Sequence, residues 1–261
     1  MRVTDASLEP LNERFLRASP VEILRFVHRI FGRRAALLTS MQRAGTLLAR
    51  IAEREGLDFD VLFVDTGLLH PQTLATRDEL SRTHGRLTVL TLLPERSFEE
   101  QTAEEGLLYL SKEGQERCCD LRKTQPLTRV RGRYDVLVSA LRREEGGARS
   151  RVLPFSIDAE MRALRVHPLA AVTREELDRM IAADPEVIVN PLHAMGFATI
   201  GCYPCTTPVR PDESERAGRW RHLEGVAYCG INPVDRGGST EAIEIADRYA
   251  DGLGLVSATA R

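Results

Sequence analysis

No apolar run in this chain approaches the roughly 18 residues that a membrane-spanning helix needs. The opening MRVTDASLEPLNERF also lacks a basic region followed by an apolar stretch of the kind that directs secretion. Neither membrane insertion nor export is signalled, so a cytoplasmic address is the expectation. An excess of one charge is missing too: lysine and arginine number 36 against 38 acidic residues, a net of -2 over 261 residues. The chain as a whole therefore exerts no pull on nucleic acid or an anionic membrane, and any positive field has to be local. There is no internal repeat or low-complexity tract. Cysteine is scarce, five in all, and the one tryptophan, Trp220, is expected to pack in the core. Six histidines (His28, His70, His84, His167, His193 and His222) are scattered without metal-ligand spacing and read as surface or core residues. The length suits one large domain, or a domain with an appendage.

What is present is a run of short apolar segments separated by helical patterns. From Leu8 to Phe31 apolar residues recur at helical spacing, with Ala18–Pro20 dividing two helices. AALLTS (35–40), DVLFVDTG (60–67), RLTVLTLL (near 87–93) and YDVLVSAL (134–141) read as buried strands. Strands alternating with helices of ten or more residues imply βαβ units and a mostly parallel sheet, whose ligands bind beyond the carboxyl ends of the strands. Those ends carry Ser40, then Asp65, Thr66 and Gly67, then Arg142 and Arg143. That is a polar set suited to an anionic ligand, with small residues and backbone amides for phosphate and sugar. Arg216, Arg219 and Lys123 come from other segments; if they share one crevice with the paired arginines, they can grip a doubly anionic group through two-pronged hydrogen bonds. The tail after Pro233, GGSTEAIEIADRYADGLGL, reads as a joint followed by a helix.

Four of the five cysteines fall into two tight groups: Cys118 and Cys119 side by side, Cys202 and Cys205 in a C-x-x-C turn. In a reducing compartment such pairs point to metal or redox chemistry rather than structural disulfides. Four thiolates complete either a tetrahedral zinc site or a [4Fe-4S] cluster, and spacing alone does not choose. Adjacent side chains diverge, which is awkward for one small ion but natural when each sulfur has its own iron, so the balance tilts to iron and sulfur. Cys229, alone in VAYCGINP, reads either as a small hydrophobe or as a nucleophile whose thiol a cationic pocket would activate.

The stretches CCDLRKTQPL, ALRREEGGARS, NPLHAMGFATIGCYPCT and ESERAGRW resemble the assimilatory adenylyl-sulfate and phosphoadenylyl-sulfate reductases, over about residues 35–233. The double cysteine with the later C-x-x-C is similar to the branch that carries a [4Fe-4S] cluster and prefers adenylyl sulfate. The resemblance implies a three-layer α/β fold with a mostly parallel twisted sheet, adenine nucleotide alpha hydrolase-like (Rossmann-like). It implies residues 1–215 as the nucleotide-binding domain with the iron-sulfur site, and 216–261 as a C-terminal segment carrying the catalytic cysteine plus an atypical tail. By the same resemblance Cys118, Cys119, Cys202 and Cys205 are cluster ligands, and Cys229 is the catalytic nucleophile. LFVDTG becomes the nucleotide strand end, and Lys123, Arg142, Arg143, Arg216 and Arg219 attend the phosphosulfate. The implied activity is reduction of adenylyl sulfate to sulfite and AMP through a cysteine S-sulfonate. A thioredoxin or glutaredoxin-like dithiol supplies the electrons, with no nucleic acid and no membrane among the partners, and homo-oligomerisation stays open. Two departures stand out: Tyr228-Cys229-Gly230-Ile231-Asn232 stands where the family has Glu-Cys-Gly-Leu-His, and TSMQRAGT stands where it has a Ser-Phe-Gly loop. The alternatives are a same-fold sulfur-transfer or adenylating enzyme acting on a different nucleotide, phosphoadenylyl sulfate as substrate, or a zinc-stabilised nucleic-acid module that the charge balance argues against.

Overall fold

The computed structural model describes residues 1–224, 231–237 and 241–255. The chain begins with a two-residue strand β1 (Arg2–Val3) and two capped helices, α1 (Asp5–Phe15) and α2 (Pro20–Phe31). Ser19 accepts from the Glu22 amide while Glu22 reaches back to the Ser19 amide, and Pro20 takes the first helical position where its missing N–H costs nothing. There follow β2 (Ala35–Leu38), α3 (Arg43–Arg54), β3 (Asp60–Val64), α4 (Pro71–Thr83), β4 (Thr88–Leu92), α5 (Phe98–Glu105), α6 (Lys112–Cys119), α7 (Gln125–Thr128) and β5 (Val136–Ser139). The second half contributes β6 (Phe155–Asp158), β7 (Ala163–Val166), α8 (Arg174–Ala182), β8 (Ile243–Glu244) and α9 (Ala250–Leu253).

Six strands form one sheet in the order β4-β3-β2-β5-β7-β6. All neighbours run parallel except the edge strand β6, which is antiparallel to β7. Successive side chains point to opposite faces, and here both faces are dry. Ala35 and Leu37 of β2, Val61 and Phe63 of β3, and Val136 and Val138 of β5 join the core beneath α1, α2 and α3. Ala36, Leu38, Leu62 and Leu137 join a second core with Leu127, Tyr134 and Met161 on the other face. The result is the three-layer α/β fold with a mostly parallel sheet. Chain order runs outward from β2 through β3 to β4 on one side and through β5 and β7 on the other. The strand order thus reverses between β2 and β5, and the crevice beyond their carboxyl ends is where such sheets hold ligands.

Two parts depart from the sequence expectation. The segment 155–166 forms a strand pair, β6 and β7, that its apolar pattern did not announce. The tail is not simply a helix: Ile243 and Ile245 are buried, β8 pairs antiparallel with β1, and a 3-10 turn at Asp247–Tyr249 runs into the short helix Ala250–Leu253. Tyr249 packs on Phe31 and donates its hydroxyl to Asp135, which also takes both prongs of Arg34. No helix among the described residues is long and apolar enough to cross a membrane.

Candidate active site and thiol cluster

A cleft opens at the reversal point between β2 and β5, and its floor is the turn from β2 into α3. Thr39 accepts from the Met41 amide, and Met41 sits at φ 57, a left-handed conformation that few non-glycine residues adopt. Close passage of α3 over Thr39 depends on Gly45, whose added Cβ would lie 2.1 Å from Thr39 Oγ1. Gln42 bridges this turn to the C-x-x-C segment, donating to Ser40 Oγ at 2.8 Å and accepting from the Ile200 amide at 2.8 Å. His193 lines the cleft, accepts from the Arg43 amide through Nε2 at 3.2 Å and bonds the Phe197 carbonyl through Nδ1 at 2.8 Å. Burial, with the Arg43 charge behind it, pushes its pKa down to about 4, so the ring stays neutral and remains an acceptor. The first amide of α3 is therefore already engaged by a side chain.

Of the residues singled out from sequence, Ser40, Thr66, Lys123, Arg142, Arg216 and Arg219 all line this cleft. Asp65 and Gly67 do not; the Asp65 carboxylate accepts from the Gly67 amide and shapes the turn behind the cleft. Arg143 turns away, its Nε donating to the Val152 carbonyl. Arg142 is buried and matched by carboxylates, donating to Glu144 at 3.0 Å and Glu215 at 3.1 Å. Arg219 differs: it stacks 4.4 Å from the Trp220 ring and its buried Nε finds no acceptor among the described residues. A guanidinium so placed suits an incoming oxyanion. Gly201 leaves the room for it, since a Cβ there would lie 2.5 Å from the guanidinium nitrogen Nη2. Cys229 lies outside the described residues. Two residues later, Ile231 and Asn232 line the cleft. Sequence reasoning missed His193, Gln42, Glu145 and Arg149 at the cleft. His193 stood within a quoted motif, but its partner Arg43 is 150 residues away.

Beside the cleft lies a smaller cavity lined by Cys118, Cys119, Cys202 and Cys205 together, with Arg122, Lys123 and Trp220. The C-x-x-C turn reaches it because Cys202 forms an antiparallel bridge with Leu69, just past β3, and Tyr203 donates to the Leu68 carbonyl at 2.8 Å. Cys118 and Cys119 arrive at the C-terminal end of α6, where the helix widens into a π-helical turn, Asp120–Thr124. Such bulges are frequent at functional sites; this one sets Arg122 and Lys123 on the cavity wall. All four cysteines are buried thiols. Burial, reinforced by Cys202, pushes Cys205 up to about 11 and raises Cys118, while Lys123 pulls both back. Bare thiolates are thus disfavoured here unless a positive centre holds them.

The cavity is rich in donors. Gln115 donates to Cys119 Sγ at 3.0 Å, the Thr66 hydroxyl lies 3.3 Å from Cys202 Sγ, and the buried Trp220 indole N–H has no partner among the described residues. Donors facing sulfur are what an electron-rich iron-sulfur core calls for. Among the described residues no group of three His, Cys, Asp or Glu side chains is arranged to hold a metal ion. Four thiols lining one cavity could hold either a tetrahedral zinc or a polynuclear iron-sulfur core. Lys123 lines both cavities, and so connects the thiols to the cleft.

Residues 34–208 match the family model for the phosphoadenosine phosphosulfate reductase domain. The chain is 34% identical over 233 residues to an adenosine 5'-phosphosulfate reductase of Streptomyces coelicolor, covering 88% of this chain and 96% of the relative. It is 40% identical over 190 residues to the enzyme of that name from Deinococcus radiodurans, covering 72% and 71%. Among solved structures, a phosphoadenylyl-sulfate reductase from Candida auris superposes with a TM-score of 0.67 at 18% identity, over 78% of this chain and 98% of that one. An FMN adenylyltransferase from Candida glabrata follows at 0.53 and 12%, over 97% and 92%. At those identities the two structures speak for the fold alone.

Proposed function

Because this chain belongs to the phosphoadenosine phosphosulfate reductase domain family, we propose that it reduces adenylyl sulfate to sulfite and AMP, with Cys229 as nucleophile and an external dithiol of the thioredoxin type as reductant. The observation that carries the reading is Lys123. It stands on the wall shared by the anion-receiving cleft and the four-thiol cavity. The names of the relatives support adenylyl sulfate as substrate. Phosphoadenylyl sulfate differs by one more phosphate.

In the first step the Cys229 thiolate attacks the sulfur of the substrate's sulfate group. A sulfur–sulfur bond forms, the bond from sulfur to the bridging oxygen breaks, and AMP leaves with that electron pair. A phosphate monoester is a weak base, so its departure asks for charge neutralisation and alignment rather than a strong acid. Arg219, whose Nε has no acceptor among the described residues, Arg216 and Lys123 supply the charge. Arg142, held by Glu144 and Glu215, shapes the wall more than it meets the anion. In the second step a thiolate of the dithiol attacks Cys229 Sγ, sulfite leaves with the electrons of the old sulfur–sulfur bond, and the dithiol's second thiol resolves the mixed disulfide. The dithiol is oxidised, and the sulfur of the sulfate is reduced by two electrons.

Cys118, Cys119, Cys202 and Cys205 would hold a [4Fe-4S] cluster, which when bound supplies a fixed charge distribution beside the cleft. Gln115 and the Thr66 hydroxyl would then face two of the cysteine sulfurs that hold it, Cys119 and Cys202.

Two measurements test this. Cys229→Ser is expected to bind AMP within about twofold of the parent but to release no sulfite, because a hydroxyl is a far weaker nucleophile than a thiolate. Sustained turnover by that variant would overturn the mechanism. Anaerobically purified protein is expected to carry iron and sulfide and to absorb near roughly 400 nm, and Cys202→Ser to lose both. Zinc in their place would overturn the assignment of the thiols.

A further inference from the structure

Three consecutive residues of the turn that floors the cleft are each tied to the segment leading into Cys202 and Cys205. The Met41 carbonyl accepts from the Asn190 side-chain amide at 3.3 Å, and the Arg43 amide donates to His193 at 3.2 Å. Between them, Gln42 Oε1 accepts from the Ile200 amide at 2.8 Å. This last bond decides which way the Gln42 side chain faces. An amide oxygen accepts and an amide nitrogen only donates, so with Oε1 committed to the Ile200 N–H the other end must present hydrogens. Nε2 donates to Ser40 Oγ at 2.8 Å. The Ser40 hydroxyl thereby acquires a direction of its own. It has one hydrogen and two lone pairs; with a lone pair taken by Gln42, the hydrogen points elsewhere. Ser40 is exposed, lines the cleft and donates to no acceptor among the described residues.

We propose that Gln42 is a positioning residue that turns the Ser40 hydroxyl hydrogen into the cleft, so that Ser40 donates to an acceptor atom of the bound nucleotide. This rests on reading the cleft as the site of adenylyl sulfate, in which Ser40 already has a place. The new part is the relay that sets its hydrogen: Ile200 N–H to Gln42 Oε1, Gln42 Nε2 to Ser40 Oγ, Ser40 O–H to the ligand. A hydroxyl left to itself rotates and gives up part of its hydrogen bond in being fixed when a ligand arrives; one that is already turned does not. Successive hydrogen bonds also polarise one another, which makes the last donor of the relay stronger. Gln42 acts through Ser40 and not on the substrate.

The test is a double-mutant cycle read by the affinity for AMP. Ser40→Ala is expected to weaken binding about tenfold by removing the donor, and Gln42→Met about fivefold by leaving the hydroxyl free to turn. The double variant is expected to bind within about twofold of Ser40→Ala alone, because without the hydroxyl Gln42 has nothing to orient. Losses that multiply overturn the relay. A glutamine that merely braces the turn against Ile200 gives that multiplicative result. If Gln42→Met fails to fold for want of an acceptor at the Ile200 amide, Gln42→Glu takes its place. Its carboxylate keeps that acceptor but takes the Ser40 hydrogen for itself, withdrawing it from the cleft. The added charge weakens AMP binding in either background, so the comparison decides: a loss at least about threefold larger with serine at position 40 than with Ser40→Ala supports the relay, and equal losses overturn it. A parent that binds no AMP would sink the nucleotide reading of the cleft and this relay together, whereas multiplicative losses in a parent that binds AMP would sink the role of Gln42 alone.

Discussion

At Gly201 an added methyl group would collide first with a guanidinium. Its Cβ would stand 2.5 Å from Arg219 Nη2, 2.7 Å from Cζ and 2.9 Å from the Thr206 hydroxyl. The Arg219 end is the far tip of a flexible side chain, so the strain is relieved by swinging it off Trp220 and out of the cleft rather than by unfolding. Gly201→Ala is therefore expected to weaken binding of adenylyl sulfate by about tenfold or more, the worth of a charge-assisted hydrogen bond at roughly 1.5–3 kcal/mol, with a melting temperature close to that of the parent. Titration calorimetry beside a thermal melt checks it, and unchanged affinity would remove Arg219 from the anion site. The sequence motif around Gly201 drew notice for its cysteines, while the reason for the glycine stayed hidden because Arg219 lies 18 positions on. Trp220 is similar: it is buried as expected, but against Leu68, Cys202 and Cys205 beside the thiol cavity. Which of two adjacent arginines faces the cleft was equally illegible. Arg142 and Arg143 differ only in backbone direction after β5, and no composition rule encodes that.

Among the elements, the turn from β2 into α3 carries the cleft floor, and its tightest point is Gly45. Alanine there would gain up to about 1 kcal/mol from helix propensity. Against this, its methyl would stand 2.1 Å from Thr39 Oγ1 and 3.0 Å from Thr39 Cβ, on a short branched side chain that is held by the Met41 amide. Overpacking of this kind costs about 1–3 kcal/mol, so the clash wins: Gly45→Ala is expected to lower the urea midpoint, and a raised midpoint would show that Thr39 can turn aside. TSMQRAGT lacks the glycine of the Ser-Phe-Gly loop, yet the structure supplies a close approach to the backbone turn at Gly45 and places Met41 in the left-handed region. Strands β2, β3 and β5 were legible because they are dry on both faces or nearly so and show as apolar runs, and β4, partly exposed at the sheet edge, was legible from its apolar Val89, Leu90 and Leu92. β6 and β7 were not, since PFSIDAEMRALRV carries Asp158 and Arg165 within its strands. Those two side chains are each 1% exposed and pair with each other at 2.7 Å, so the charges that masked the pattern are inside the fold. In the tail, Ile243 and Ile245 alternate as a strand should, but two residues of alternation drown in a helix-like stretch.

On the scale of the whole molecule, balanced charge conceals local asymmetry: Arg43, Lys123, Arg142, Arg149, Arg216 and Arg219 line the cleft against two carboxylates, Glu145 and Glu215. Two buried histidines make the stability of that arrangement depend on pH. His167 is held neutral by burial, with Arg165 and Arg149 nearby adding to the effect and Asp235 opposing it, so its pKa is pushed down to about 3. His193 is pushed down to about 4 by burial and Arg43, against the Phe197 carbonyl and Asp178. In the unfolded chain both titrate near about 6.5. Below that pH the unfolded state takes up protons that the folded state refuses, so the stabilisation is complete above about 6.5 and is lost as pH falls toward 4. Each histidine contributes a slope of at most about 1.4 kcal/mol per pH unit in that window. The carboxylates whose pKa values are lowered, Glu213 and Asp184 among them, withdraw their contribution only at lower pH, near and below the ordinary carboxylate range. Urea midpoints measured at pH 7.5 and pH 5.5 are thus expected to fall on acidification, and His167→Phe, which keeps the site filled, is expected to flatten the profile by its share. An unchanged midpoint across that interval would mean that one or both rings find water or a proton acceptor on opening, and that the cleft wall behind Ser139 breathes far more than its packing implies.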